Sequence, residues 1–133
     1  MLTKITLENF KSFDNQAELT MISSSKIRLK AEHRVCIGSS TNLLKHAVIY
    51  GANASGKSNL VDFMRFFKAT LEDGLPIWST KYFCRNDKAN EARDSIFEVQ
   101  MEIDGKFYAY GFSARLADRW MTGEWLYELY QNG

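Results

Sequence analysis

The residues best suited to chemistry stand at 51–58: Gly51-Ala52-Asn53-Ala54-Ser55-Gly56-Lys57-Ser58. They fill every fixed position of G-x-x-x-x-G-K-[ST], and each has a physical reason. The glycines let the backbone turn tightly and approach phosphate oxygens closely. Successive amides from Asn53 to Ser58 then converge as an anion nest, and a helix opening here adds the positive end of its dipole. Lys57 is placed to reach the β- and γ-phosphates, and the Ser58 hydroxyl to hold Mg²⁺. With glycine at its usual frequency, a chance match in a chain this long is roughly a 1% event. The pattern predicts a site for a nucleoside triphosphate and Mg²⁺.

Such a loop needs a strand before it and a helix after it. Residues 47–50, Ala-Val-Ile-Tyr, are a continuous apolar run, which predicts a short strand buried on both faces. Leu60, Phe63, Met64, Phe67 and Leu71 recur at i, i+3, i+4, i+7 and i+11, one apolar stripe of a helix. Gly74 and Pro76 end it. Upstream, Ile5 and Leu7 alternate with Lys4, Thr6 and Glu8, a strand over 2–8. A polar turn with two phenylalanines follows, and alternation resumes over 17–22 through Leu19 and Met21. Residues 23–26 read as a loop. Beyond them Ile27, Leu29 and Ala31 oppose Lys26, Arg28 and Lys30. This predicts an edge strand whose charges face water, with a basic strip for nucleic acid as the alternative. Residues 38–42 read as a loop, and 23–46 together as an extra edge hairpin.

Downstream, residues 75–94 are irregular and charged, and are expected to form a mobile surface segment. Phe97, Val99, Met101 and Ile103 then alternate with Glu98, Gln100 and Glu102. Asp104-Gly105 is a two-residue hairpin turn. The return strand sets Tyr108 opposite Met101, Tyr110 opposite Val99 and Phe112 opposite Phe97, so one side of the hairpin is apolar and lies on a core. A last strand runs over 120–130. The Asn132-Gly133 pair that follows is a favoured hairpin turn with no partner strand after it, the look of a sequence cut short.

The composition fits one folded domain or part of one. The 133 residues are 45% apolar with 18 aromatics, which excludes disorder. A net charge of +1 argues against a strongly basic nucleic-acid surface. Cys36 and Cys84 are far apart and read as reduced thiols, and His33 and His46 lack zinc spacing. No signal peptide or membrane-length run is present, so a cytoplasmic protein without membrane contact is the expectation. Hydrolysis further needs an acidic residue closing an apolar strand, to hold the metal, and a group to orient water. Neither stands out; Asp104 lies in a hairpin turn. An L-S-G-G loop, an N-K-x-D guanine reader and an arginine-rich lid are also missing. No residue is assigned a catalytic role, and the chain alone is expected to bind nucleotide without turnover.

The segment "NASGKSN" after "VIYG", with "ITLENFKSF" at the N-terminus, resembles the ABC-type ATPases of the SMC, RecF and OLD group. It is most similar to bacterial AAA-type, ABC-like ATP-binding proteins of phage-defence and abortive-infection systems. The hairpin "FEVQMEIDGKFYAYGF" and the strand "EWLYE" are similar to that family's N-terminal lobe. The resemblance implies an α/β (mixed α+β) P-loop NTPase: an ABC-ATPase-like N-terminal lobe with an antiparallel β-subdomain, truncated. Residues 1–74 would be the nucleotide-binding core, 75–94 an irregular segment, and 95–133 the hairpin and final strand. It also implies ATP and Mg²⁺ as cofactors. Gly51, Asn53, Ala54, Ser55, Gly56, Lys57, Ser58 and Asn59 would bind nucleotide, with Ser58 on the metal. Lys11 and Ser12 match a basic-Ser pair near the phosphates, though Lys for the usual Arg forfeits a bidentate contact. The partners implied are the rest of the head or a second subunit in a head-to-head dimer, with DNA met through the parent complex. A small P-loop kinase or GTPase is one alternative. Another is an interaction module with a vestigial loop, whose aromatic hairpin, Trp120 and Trp125 form an interface rather than the core of a β-lobe.

Overall fold

The computed structural model describes residues 1–24, 31–37, 41–52 and 55–130. In chain order its elements are β1 (Leu2–Glu8), β2 (Ala17–Thr20), β3 (Arg34–Ile37), β4 (Thr41–Leu44), α1 (Lys57–Asp73), β5 (Ser95–Ile103), β6 (Lys106–Arg115) and β7 (Trp120–Leu129). Five strands make one sheet in the order β2-β1-β5-β6-β7. Every pairing among the described residues is antiparallel.

Alternation decides which face is buried. β1 buries Thr3, Ile5 and Leu7 and pairs Leu7 with Phe97 and Ile5 with Val99 on β5. The β5–β6 hairpin forms in the expected register, Ile103 opposite Lys106 through Phe97 opposite Phe112. Asp104 and Gly105 both take positive φ, 51° and 82°, as a two-residue hairpin turn demands. The result is one apolar face running across three strands.

α1 covers that face with Phe63, Phe66, Phe67 and Thr70. Their rings interlock with those of the sheet: Phe66 to Phe97 at 5.0 Å, Phe97 to Phe112 at 5.2 Å and Phe10 to Phe66 at 5.4 Å between centroids. Each fully buried large apolar side chain contributes about 1.5–3 kcal/mol. Most of a helix's stability in a protein comes from packing of its apolar face rather than from propensity, so this packing is what holds α1.

The expected helix stripe needs correction. Phe63 and Phe67 do face the core, but Met64 and Leu71 are 45% and 54% exposed, and the fully buried Phe66 takes their place. The period is right and the phase is rotated, because the sheet covers one flank of α1 only. The strand expected at 47–50 is not formed. All four residues are exposed, Val48 to 66% and Tyr50 to 88%. A strand buried on both faces needs neighbours on both edges, and none of the described strands pairs with it.

The second small sheet is the β3–β4 hairpin, so part of the extra edge hairpin is present. It attaches to the main sheet through the Ile22–Leu43 bridge and the bond from the Leu44 amide to Met21 O (2.8 Å). Its details differ from expectation: residues 31–33 form a 3₁₀ turn rather than strand, and Thr41 and Asn42 belong to β4 rather than a loop. The basic residues Lys26, Arg28 and Lys30 lie outside the described residues. His33 and His46 meet edge to face at 4.9 Å. No group of three or more His, Cys, Asp or Glu among the described residues is placed to hold a metal ion. No described helix is long and apolar enough to cross a membrane.

Trp125 is half-buried: its indole N–H donates to Glu98 at 2.9 Å. A Cβ on Gly111 would lie 2.5 Å from the Trp125 ring, so only glycine allows that ring to cross β6. Trp120, by contrast, is 66% exposed and is not part of the core.

Residues 75–94 are irregular, with short 3₁₀ turns at Ile77–Ser79 and Lys88–Glu91. They are bonded to the turn after β1 rather than loose. The side chain of Asn9, fully buried with φ 51°, donates to the carbonyls of Asn90 and Arg93 and accepts from the Cys84 amide. Asp14 accepts from Asn86 (2.8 Å), Asn90 (3.0 Å) and Arg93 (2.8 Å). These bonds hold the Asp14 carboxyl below its ordinary value. Asn86 contributes most, partial burial opposes it, and Asn90 and Arg93 add to the lowering. A lowered folded-state pKa stabilises above the unfolded value and loses that contribution as pH falls through the folded one. Asp14→Asn should therefore lower stability at neutral pH. Its deficit against the parent should shrink as pH falls below the ordinary carboxylate range, which urea unfolding at stepped pH will show. A deficit independent of pH would contradict the assignment.

Candidate nucleotide-binding site

Gly56 opens α1 from the left-handed region, φ 94°, and no side chain caps the helix. No acidic residue stands in its first turn. The first amides of a helix have no partners within it, and here the positive end of the dipole is left without a compensating carboxylate. Both features favour an anion. Gly56 is needed twice over: its φ is strained for other residues, and a Cβ would lie 2.9 Å from Ser12 Oγ and 3.4 Å from the Phe13 ring.

Lys57 curls back over the loop. Its Nζ donates to the carbonyls of Gly51 (2.5 Å) and Ala52 (2.6 Å) and to Ser55 Oγ (3.1 Å). The ammonium thus sits within the loop, and its acceptors among the described residues are neutral. A Cβ on Gly51 would collide with the Ser55 hydroxyl. The exposed Ser58 has no partner among the described residues. Asn53 and Ala54, assigned to the nest by the motif, lie outside the described residues.

The turn after β1 arrives at the same place. Ser12 Oγ accepts from Asn59 Nδ2 at 2.8 Å. Lys11, with φ 52°, donates its amide to Tyr82 O at 2.5 Å. Its ammonium pairs with Asp62 and lies 4.0 Å from the centre of the Tyr82 ring. Asp62 and Tyr82 are absent from the motif-based expectation. Asp62 was legible in part, since it stands at i+3 from Asn59 and shares its helix face. Tyr82 carried no signal, because long-range contact alone brings it here. Beside the loop, a cleft of about 290 Å³ is lined by Leu7, Leu19, Leu60 and Tyr50 together with Gly56 and Lys57.

The donor set suits a polyphosphate: an uncapped helix start and, among the described residues, a lysine bound to neutral oxygens and a hydroxyl with no partner, suited to a hard cation. A family model described as "AAA ATPase domain" matches residues 1–119, almost the whole length. The chain belongs to the AAA ATPase domain family. For this AAA-type ATPase region, nucleotide binding follows from membership, as does use of ATP, usually with Mg²⁺. Comparison with curated proteins gives no match.

Proposed function

We propose that residues 51–58 are the Walker A phosphate cradle of this AAA ATPase region and bind Mg²⁺-ATP. The observation that carries the reading is the left-handed Gly56 opening an uncapped helix whose Lys57 ammonium lies inside the loop. Gly51, Ser55 and Gly56 shape the loop. The motif assigns Asn53, Ala54, Ser58 and Asn59 to nucleotide contact as well, with Lys57 meeting the terminal phosphates and Ser58 binding the metal. Lys11 and Ser12 border the cradle from the β1 turn. ATP supplies the phosphates and Mg²⁺ neutralises part of their charge. On its resemblance to the SMC, RecF and OLD group, the region serves an ABC-like ATPase of DNA maintenance or phage defence. There it works with the remainder of the head or a second subunit.

The metal role separates Ser58 from its neighbours. Ser58→Ala should bind ATP in EDTA as the parent does, yet lose most of the gain that Mg²⁺ brings, about tenfold for one ligand to a charged centre. Calorimetric titration with and without Mg²⁺ tests this. An undiminished Mg²⁺ gain would take the metal away from Ser58.

A further inference from the structure

We propose that Asp62 is a positioning residue of the phosphate site. It holds the Lys11 ammonium at the edge of the cradle so that one N–H remains for a phosphate oxygen. The proposal rests on the cradle reading above and adds a residue that the motif does not contain.

Two bonds one helical turn apart strap the β1 turn to α1: Ser12 to Asn59 and Lys11 to Asp62. Residues three apart share a helix face, so the strap is straight. Its closeness shows at Gly56, where the Ser12 hydroxyl occupies the space a Cβ would need. Ser12 is therefore beside the start of α1, and the Lys11 side chain reaches the second turn of the helix, ordered on both sides by the Asp62 carboxylate and by the face of Tyr82.

The location of Asp62 is not explained by helix stability. An acidic residue helps a helix dipole only within the first turn, and Asp62 is the sixth residue of α1. A lone carboxylate so close to a phosphate site would repel the ligand. Paired with Lys11 it is neutralised, and it performs a different task. A free lysine loses much side-chain freedom when it engages a ligand. Here that ordering is already done. An ammonium has three N–H donors. Asp62 takes one, the Tyr82 face receives the charge, and the Lys11 side chain keeps 21% of its surface exposed.

The test is calorimetric titration of the chain with Mg²⁺-ATP and, separately, with inorganic triphosphate. Asp62→Ala and Lys11→Ala should each weaken binding about tenfold, and the double variant by about tenfold again rather than a hundredfold, because the two act as a unit. Asp62→Glu should recover part of the loss. ATP and inorganic triphosphate should lose affinity by the same factor, since the contact is to phosphate. Asp62→Asn, which keeps the side-chain shape, gives the same reading if the alanine variant proves unstable. Unchanged or tighter binding by Asp62→Ala and Asp62→Asn would overturn the proposal, as would additive losses in the double variant. Lys57→Ala run alongside separates the two levels. If it abolishes binding while the Asp62 variants bind as the parent, only the positioning role falls. If Lys57→Ala binds as the parent, the cradle reading falls and this role with it.

Discussion

Lys57→Ala should lose most of its affinity for Mg²⁺-ATP while melting at close to the parent temperature. Among the described residues the ammonium is hydrogen-bonded to the exposed Gly51, Ala52 and Ser55, and none of them belongs to the apolar core. Its loss returns two carbonyls and a hydroxyl to water, which satisfies them, so the fold gives up little. Bound phosphate presents a full charge instead. A charge-assisted hydrogen bond is worth about 1.5–3 kcal/mol, or about 10- to 100-fold in affinity. Parallel titration and thermal melts check both halves. Parent-like affinity would remove Lys57 from the site, and a collapsed melting temperature would show that the lysine props up the loop's fold.

Phe66→Ala should have the largest effect on stability, about 3–5 kcal/mol for an aromatic ring removed from a close-packed core. Phe66 is fully buried and meets Phe10, Phe97, Phe112 and Trp78 with ring centres 5.0–6.3 Å away. It is the ring that joins helix, sheet and the segment after α1. A loss of this size is a large share of the 5–15 kcal/mol that an ordinary domain has. Met64→Ala, two positions earlier on an exposed flank, should stay within about 0.5 kcal/mol. Urea unfolding of the two variants distinguishes the observed helix phase from the stripe first read in the sequence. If Met64→Ala proves the costlier change, the helix is turned the other way.

The sheet was the most legible part, because alternation and a two-residue turn leave little freedom. Once Asp104-Gly105 was fixed as the turn, every pair from Ile103–Lys106 to Phe97–Phe112 followed. The helix was legible in extent and not in phase. Phe63, Met64, Phe66 and Phe67 offer two overlapping apolar stripes, and only the position of the sheet chooses between them. The apolarity of residues 47–50 predicts a strand, but strand formation depends on partners, and local sequence does not supply them. Residues 75–94 looked loose because their anchor, Asn9, is some 80 positions away and bonds through side-chain and backbone groups that no periodicity reveals. At the site, the glycine-lysine motif marks its own residues by spacing. Ser12 was within reach of the family resemblance. Asp62 was legible only as a helix-face neighbour of Asn59, and Tyr82 not at all; the β1 turn folding onto α1 brings both to Lys11.

Polyphosphate binding by the amides at the start of α1, backed by Lys57, is tested most directly by titrating the ¹⁵N-labelled chain with Mg²⁺-ATP and following each backbone amide. The amides of Gly51 and of residues 55–59 should show the largest shifts, saturating together, while those of β6 and β7 stay in place. Saturable shifts confined to other parts of the chain, with Gly56, Lys57 and Ser58 unmoved, would contradict it.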